Sequence, residues 1–95
     1  MIYAAIDSVL QRWSRRHGLS VATEYKDEDV RSVELTDQKG RRYQIWIDPP
    51  DGQGSVVVHA WDYRKQRTDT TVNVGDLETH LDNVRATVLN WMAVP

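Results

Sequence analysis

Cysteine and phenylalanine are both absent from the 95 residues of this chain. Without cysteine there can be no disulfide, no thiol nucleophile and no cysteine-ligated zinc, and the absence is neutral about compartment. No apolar run approaches the roughly 18–20 residues that a membrane-spanning helix needs. The first residues, Met1-Ile2-Tyr3-Ala4-Ala5-Ile6-Asp7, have no basic stretch and no long apolar segment. No signal peptide is therefore expected, no membrane association either, and cytoplasm is the expected location. Lysine is scarce, three residues against nine arginines, a bias that would be expected of a GC-rich bacterial genome. Positive charge is in deficit overall, with a net charge of −2 and an isoelectric point of about 5.8. A nucleic-acid binder is more often basic or carries a basic stripe, so nucleic acid is the disfavoured partner.

What is there is ordinary for a globular protein: 40% apolar and 27% charged residues. The length predicts one domain, 1–95, burying about 60–65% of its unfolded surface. No repeat, linker or low-complexity segment interrupts it.

Ile2, Ile6, Val9, Leu10 and Trp13 form one stripe of an amphipathic helix. Asp7 lies early and Arg12, Arg15, Arg16 and His17 lie late, as the helix dipole favours. Gly18 is placed to end the helix at C′. The arginine cluster reads as a solvated helix end in preference to a phosphate site. A short strand is expected at 21–25, then a charged turn, Lys26-Asp27-Glu28-Asp29. A second strand at 30–37 leads through Gln38-Lys39-Gly40 to a third at 42–48. The run Pro49-Pro50-Asp51-Gly52-Gln53-Gly54 joins it to a fourth at 55–63. After the polar turn Arg64-Lys65-Gln66-Arg67, a weak edge strand is expected at 70–74. Gly75-Asp76 opens a last helix whose stripe is Leu77, Leu81, Val84, Val88 and Trp91, with Met92 beside it.

The order α-β-β-β-β-β-α with short loops predicts an antiparallel meander of four to five strands. Both helical stripes need an apolar surface, so both helices pack on one sheet face. The expected fold is a two-layer α+β domain with its other face open. Alternation in the third and fourth strands assigns Tyr43, Ile45, Ile47, Val56, Val58 and Ala60 to the core. It assigns Arg42, Gln44, Trp46, Val57, His59, Trp61 and Tyr63 to the open face. Pairing Asp48 with Ser55 would set Ile47 against Val56, Ile45 against Val58 and Tyr43 against Ala60. Trp46 would then face Val57, Gln44 would face His59, and Arg42 would lie over Trp61. Pairing Asp37 with Arg41 sets Leu35 against Tyr43 and Val33 against Ile45. In this reading Trp46, Trp61 and Tyr63 are solvent-exposed, while Trp13 and Trp91 anchor the helices in the core.

Motifs for chemistry are missing. Three adjacent acids, Asp27, Glu28 and Asp29, diverge in a turn. The 48–55 loop lacks the order of a calcium loop. No metal and no cofactor is expected. His59 has Ser55 and Asp62 near it in sequence, but Asp62 falls on the opposite strand face, so the three do not form a triad. His80 is expected to hydrogen-bond along its helix, near Asp76 and Asp82. There is no nucleophile elbow, phosphate loop or dinucleotide fingerprint, and no catalytic residue is assigned.

The helix–three strands–helix order resembles the double-stranded-RNA-binding domain in topology. That family docks on phosphate through a lysine-rich start to its second helix. Here the position reads Gly75-Asp76-Leu77-Glu78, which is acidic and repels phosphate, so no residue role carries over.

The function expected from these residues is that of a small cytosolic, non-catalytic domain that binds an unidentified protein or a second copy of itself. Its site would be the aromatic open face of Arg42, Trp46, His59, Trp61 and Tyr63, residue types that concentrate at interface hot spots. The alternative is nucleic-acid binding through Arg42, Arg64, Lys65 and Arg67 with bases stacked on the aromatics.

Overall fold

The computed structural model describes residues 2–93. Helix α1 (Ala4–Arg16) is followed by strands β1 (Val21–Tyr25), β2 (Glu28–Thr36), β3 (Arg42–Ile47), β4 (Ser55–Trp61) and β5 (Arg67–Asn73). A single 3-10 turn, Val74–Asp76, leads into helix α2 (Leu77–Met92). The strands form one antiparallel sheet in sequence order, β1-β2-β3-β4-β5. Both helices pack on one face of it, which is the expected α+β architecture.

Alternation decides that face. Val33, Leu35, Tyr43, Ile45, Ile47, Val56, Val58 and Ala60 are buried, and they meet Ile6, Leu10 and Trp13 of α1 and Leu77, Leu81, Val84 and Val88 of α2. Each fully buried aliphatic side chain contributes about 1.5–3 kcal/mol. The N-terminal end of the α1 stripe differs from the reading above. Ile2 precedes the helix and is exposed, and Tyr3 takes the buried position instead. Tyr3 is covered by the Arg31 guanidinium, 4.3 Å from its ring centroid. Arg31 in turn donates to both carboxylate oxygens of Asp7 and to Asp29. Trp13 is wholly buried, but Trp91 is only half-buried at the rim of the core.

Gly18 ends α1 as expected, with φ +64°. Leu19 N–H reaches back to the Ser14 carbonyl at 2.8 Å, the longer bond of a Schellman cap. The arginines at this end are not a free cationic patch. Arg12 and Arg16 both bind Glu78, and Arg16 and His17 both bind Asp82. The basic end of α1 thus clamps the acidic start of α2. His80 does not make its expected helix-face bond: its Nε2 is buried without a hydrogen-bond partner, and burial pushes its pKa down.

The β2–β3 register is as expected, with Leu35 opposite Tyr43 and Val33 opposite Ile45. The β3–β4 register is not. Ile47 faces Val58, Ile45 faces Ala60, Trp46 faces His59 and Gln44 faces Trp61. This is a slip of two residues from the expected pairing. A two-residue slip keeps every side chain on its face, so the core is unchanged while the partners across it are not. The turn explains the slip. Asp51, not Asp48, starts the loop: its N–H bonds the Ser55 carbonyl, and its Oδ1 accepts from the N–H groups of Gln53 and Ser55. The charged turn is also tighter than expected. Only Lys26 and Asp27 form it, while Glu28 and Asp29 already pair with Tyr25 and Glu24 in the sheet. β5 starts three residues earlier than expected, which brings Arg67 and Asp69 into the sheet.

Candidate functional site

The open face is built from cross-strand rows. One row reads Ala22, Ser32, Trp46, His59, Asp69 across all five strands. The next reads Glu34, Gln44, Trp61, Arg67, and a third pairs Thr36 with Arg42. The slip in register makes Trp46 the neighbour of His59. Their rings stack 4.7 Å apart at 15°. Arg67 reaches across from the edge strand to lie 5.1 Å from the Trp46 centroid.

His59 is held on both sides. Its Nδ1 lies 2.5 Å from Asp69 Oδ1 and its Nε2 2.8 Å from Asp48 Oδ2. Each ring nitrogen therefore lies within hydrogen-bond distance of a carboxylate oxygen. The bond with His59, reinforced by Arg67, holds the Asp69 carboxyl below its ordinary range. Asp62 is turned away, buried, and bonded to the backbone of its own loop.

Tyr63 lies beyond the end of β4, with φ +64°. That left-handed turn folds its ring back over the open face. The ring packs against Trp61 at 4.7 Å, and its hydroxyl donates to Glu34 at 3.3 Å. Arg42 lies 5.0 Å from the Tyr63 centroid and 3.7 Å from Glu34. The expected stack of Arg42 on Trp61 is therefore replaced by Arg42 on Tyr63. Burial, and then the nearby Glu34 carboxylate, raise the pKa of the Tyr63 phenol. Because these groups cover one another, Trp46, His59, Trp61 and Tyr63 are half-buried, contrary to the exposure expected for the two tryptophans and the tyrosine. Arg42 is exposed.

Beside this aromatic ridge lies a groove along β1, β2 and β3. One part of it has a volume of about 610 Å³, with Ala22, Ser32 and Gln44 on its lining, Tyr25 from β1, and Trp46 and Tyr63 from the ridge. It continues past Ser32 and Gln44 towards Gly18 and Arg42. Small side chains at Ala22 and Ser32 leave the sheet surface low there. The first part is also lined by Glu24, Glu28, Asp29 and Asp48. Its one cation, Arg31, is already bonded to Asp7 and Asp29.

The five residues singled out from sequence thus share one face, but not one continuous exposed surface. Asp48 and Asp69, which flank His59, and Tyr25, on the far side of the groove, were not among them. Asp69 lay outside the expected edge strand, and Asp48 needed the correct register to meet His59. Tyr25 follows a register irregularity between Ala22 and Glu24, where simple alternation gives no face. Among the described residues no group of histidines and carboxylates has the arrangement of a metal site, and no helix is long and apolar enough to cross a membrane. No family model matches the sequence, and no curated protein or solved structure matches it either.

Proposed function

We propose that this protein is a non-catalytic binding module whose open-face groove receives an extended segment of a partner protein. The observation that carries this is the groove itself. It runs along the strands between Tyr25 and the Trp46–Tyr63 ridge over a low lining of Ala22, Ser32 and Gln44. Aromatic walls give apolar area at little cost in side-chain entropy. The excess of carboxylates favours a segment that carries Lys or Arg.

The arrangement of His59 supports a binding role over a catalytic one. Both ring nitrogens are tied to carboxylates, which leaves neither directed at a substrate. The charge arrangement gives less support to nucleic acid. Arg42 and Arg67 are each paired, with Glu34 and Asp69, and an acidic groove repels phosphate.

Two experiments test the reading. A photo-crosslinking residue at Tyr25 should give a protein adduct in the cells that make this chain, and the same residue at Arg15 on α1 should not. Fluorescence anisotropy with single-stranded oligonucleotides should show no salt-dependent binding. Adducts only at Arg15, or tight oligonucleotide binding that weakens with salt, would replace this reading.

A further inference from the structure

The two edges of the sheet are built differently. β1 has five residues, a register irregularity between Ala22 and Glu24, and a charged turn at its end. Short length, irregularity and charge are the usual ways in which an edge is kept from pairing. β5 has neither the short length nor the irregularity, and its two charges, Arg67 and Asp69, pair with each other. It runs seven residues, pairs regularly with β4 from Arg67 to Asn73, and contains no proline and no lysine.

The free groups on that edge can be identified. Asp62 N–H bonds the Gln66 carbonyl at one end of the hairpin, and Val74 N–H bonds the Gly54 carbonyl at the other. Hydrogen-bonded pairs alternate along an antiparallel ladder. Residues 66, 68, 70, 72 and 74 therefore turn their backbone groups towards β4. Arg67, Asp69, Thr71 and Asn73 turn theirs outward.

We propose that two copies of this chain pair antiparallel along β5, about a two-fold axis at Thr70, to form one continuous ten-stranded sheet. Two features select this occupant and this register. Centring on Thr70 uses all four outward residues: Arg67 faces Asn73 of the second copy, and Asp69 faces its Thr71. Each such pair exchanges two hydrogen bonds, so the junction gains about eight. No like charges oppose one another, whereas centring on Asp69 would set Asp69 against itself. The open faces would then join, with the two His59–Asp69 rows on either side of the axis. This inference is independent of the groove and goes beyond the proposed role of the open face.

The absence of cysteine makes the register testable. Thr70 would oppose Thr70 of the second copy as a non-hydrogen-bonded pair, with Cα atoms about 4.5 Å apart, within disulfide reach. Under mild oxidation, Thr70→Cys should give a disulfide-linked dimer, and Thr68→Cys should stay largely monomeric. In sedimentation equilibrium the unmodified chain should show a dimer that Thr71→Pro abolishes. The proline removes an outward N–H and leaves the β4 ladder intact, so the variant should keep its circular dichroism spectrum. If Thr71→Pro does not fold, Thr70→Cys against Thr68→Cys still decides. A monomer at all concentrations with no Thr70→Cys crosslink, or preferential crosslinking at Thr68→Cys, would overturn the proposal.

Discussion

Asp62 shows how a single carboxylate closes a turn in this fold. Its side chain is 2% exposed, and Oδ1 accepts from the N–H groups of Arg64, Lys65 and Gln66 at 2.8, 2.9 and 3.0 Å. Asp37 does the same for Lys39 and Arg41, and also accepts from the Tyr43 hydroxyl and the Arg41 side chain. Asp51 repeats the pattern with Gln53 and Ser55. In each case the aspartate N–H bonds the carbonyl four residues on, so three hairpins share one device. Removing the acceptor strands several N–H groups at once. Asp62→Ala should lose about 2–3 kcal/mol in urea denaturation, and Asp62→Asn, which keeps Oδ1, about half of that. Burial by itself raises the pKa of Asp37, but the bonds from Arg41, Tyr43 and Lys39 outweigh it and hold the carboxyl at about 2. A lowered folded pKa means that the stabilisation is complete above the ordinary value of 3.8 and is lost as pH falls towards about 2. Asp62 shifts in the same direction, its backbone bonds outweighing burial. The melting temperature should therefore fall steeply between about pH 4 and about pH 2. Asp37→Asn should start lower at neutral pH and fall less over that window. A parallel fall in both proteins would show that Asp37 does not contribute.

At the scale of elements, the β1–β2 turn is the weakest local fit between sequence and backbone. Lys26 and Asp27 both adopt positive φ, +51° and +68°, the pattern of a two-residue type I′ turn that favours Asn-Gly. Replacing Lys26-Asp27 by Asn-Gly should stabilise the protein by about 0.5–1.5 kcal/mol, measured by thermal or chemical unfolding. A destabilised variant would mean that the lysine and aspartate side chains hold this hairpin by contacts of their own. The same turn shows why parts of the fold were legible and parts were not. Alternation through Tyr43, Ile45 and Ile47 and the helical spacing of Leu77, Leu81, Val84 and Val88 reveal the core faces, because burial acts on every residue of the pattern. Hairpin registers depend on one or two loop residues. Gly40 marked the β2–β3 turn correctly, whereas two glycines, two prolines and two aspartates left the β3–β4 loop with several ways to close. Asp51 takes the loop, and the partner of every open-face residue on β4 moves by two. The five residues of the open face were readable as sharing it, but Tyr25, Asp48 and Asp69 were not, nor were the pairings: Trp46 with His59, Tyr63 with Arg42, and both carboxylates on His59.

For the whole molecule, one sheet face carries the core and the other the proposed binding groove, and substitution should separate them. Ile45 is fully buried between sheet and helices. Ile45→Asp places an unpaired carboxylate there at a cost of several kcal/mol, against a total stability of about 5–10 kcal/mol, and should unfold the protein. Trp46→Ala, one residue away, loses the His59 stack and the Arg67 contact, about 1–2 kcal/mol, and should leave it folded. Equal loss in both variants, read by near-ultraviolet circular dichroism, would contradict the assignment of faces. The account turns on the groove between Tyr25 and the Trp46–Tyr63 ridge as the surface that meets a partner. The most direct measurement is quantitative capture of proteins from the native host by three immobilised forms: the unaltered chain, the Tyr25→Ala/Trp46→Ala double variant, and an Arg15→Ala variant on the helical side. The account predicts a protein retained equally by the first and third forms and at least tenfold less by the second, which should still unfold cooperatively. Equal retention by all three would contradict it.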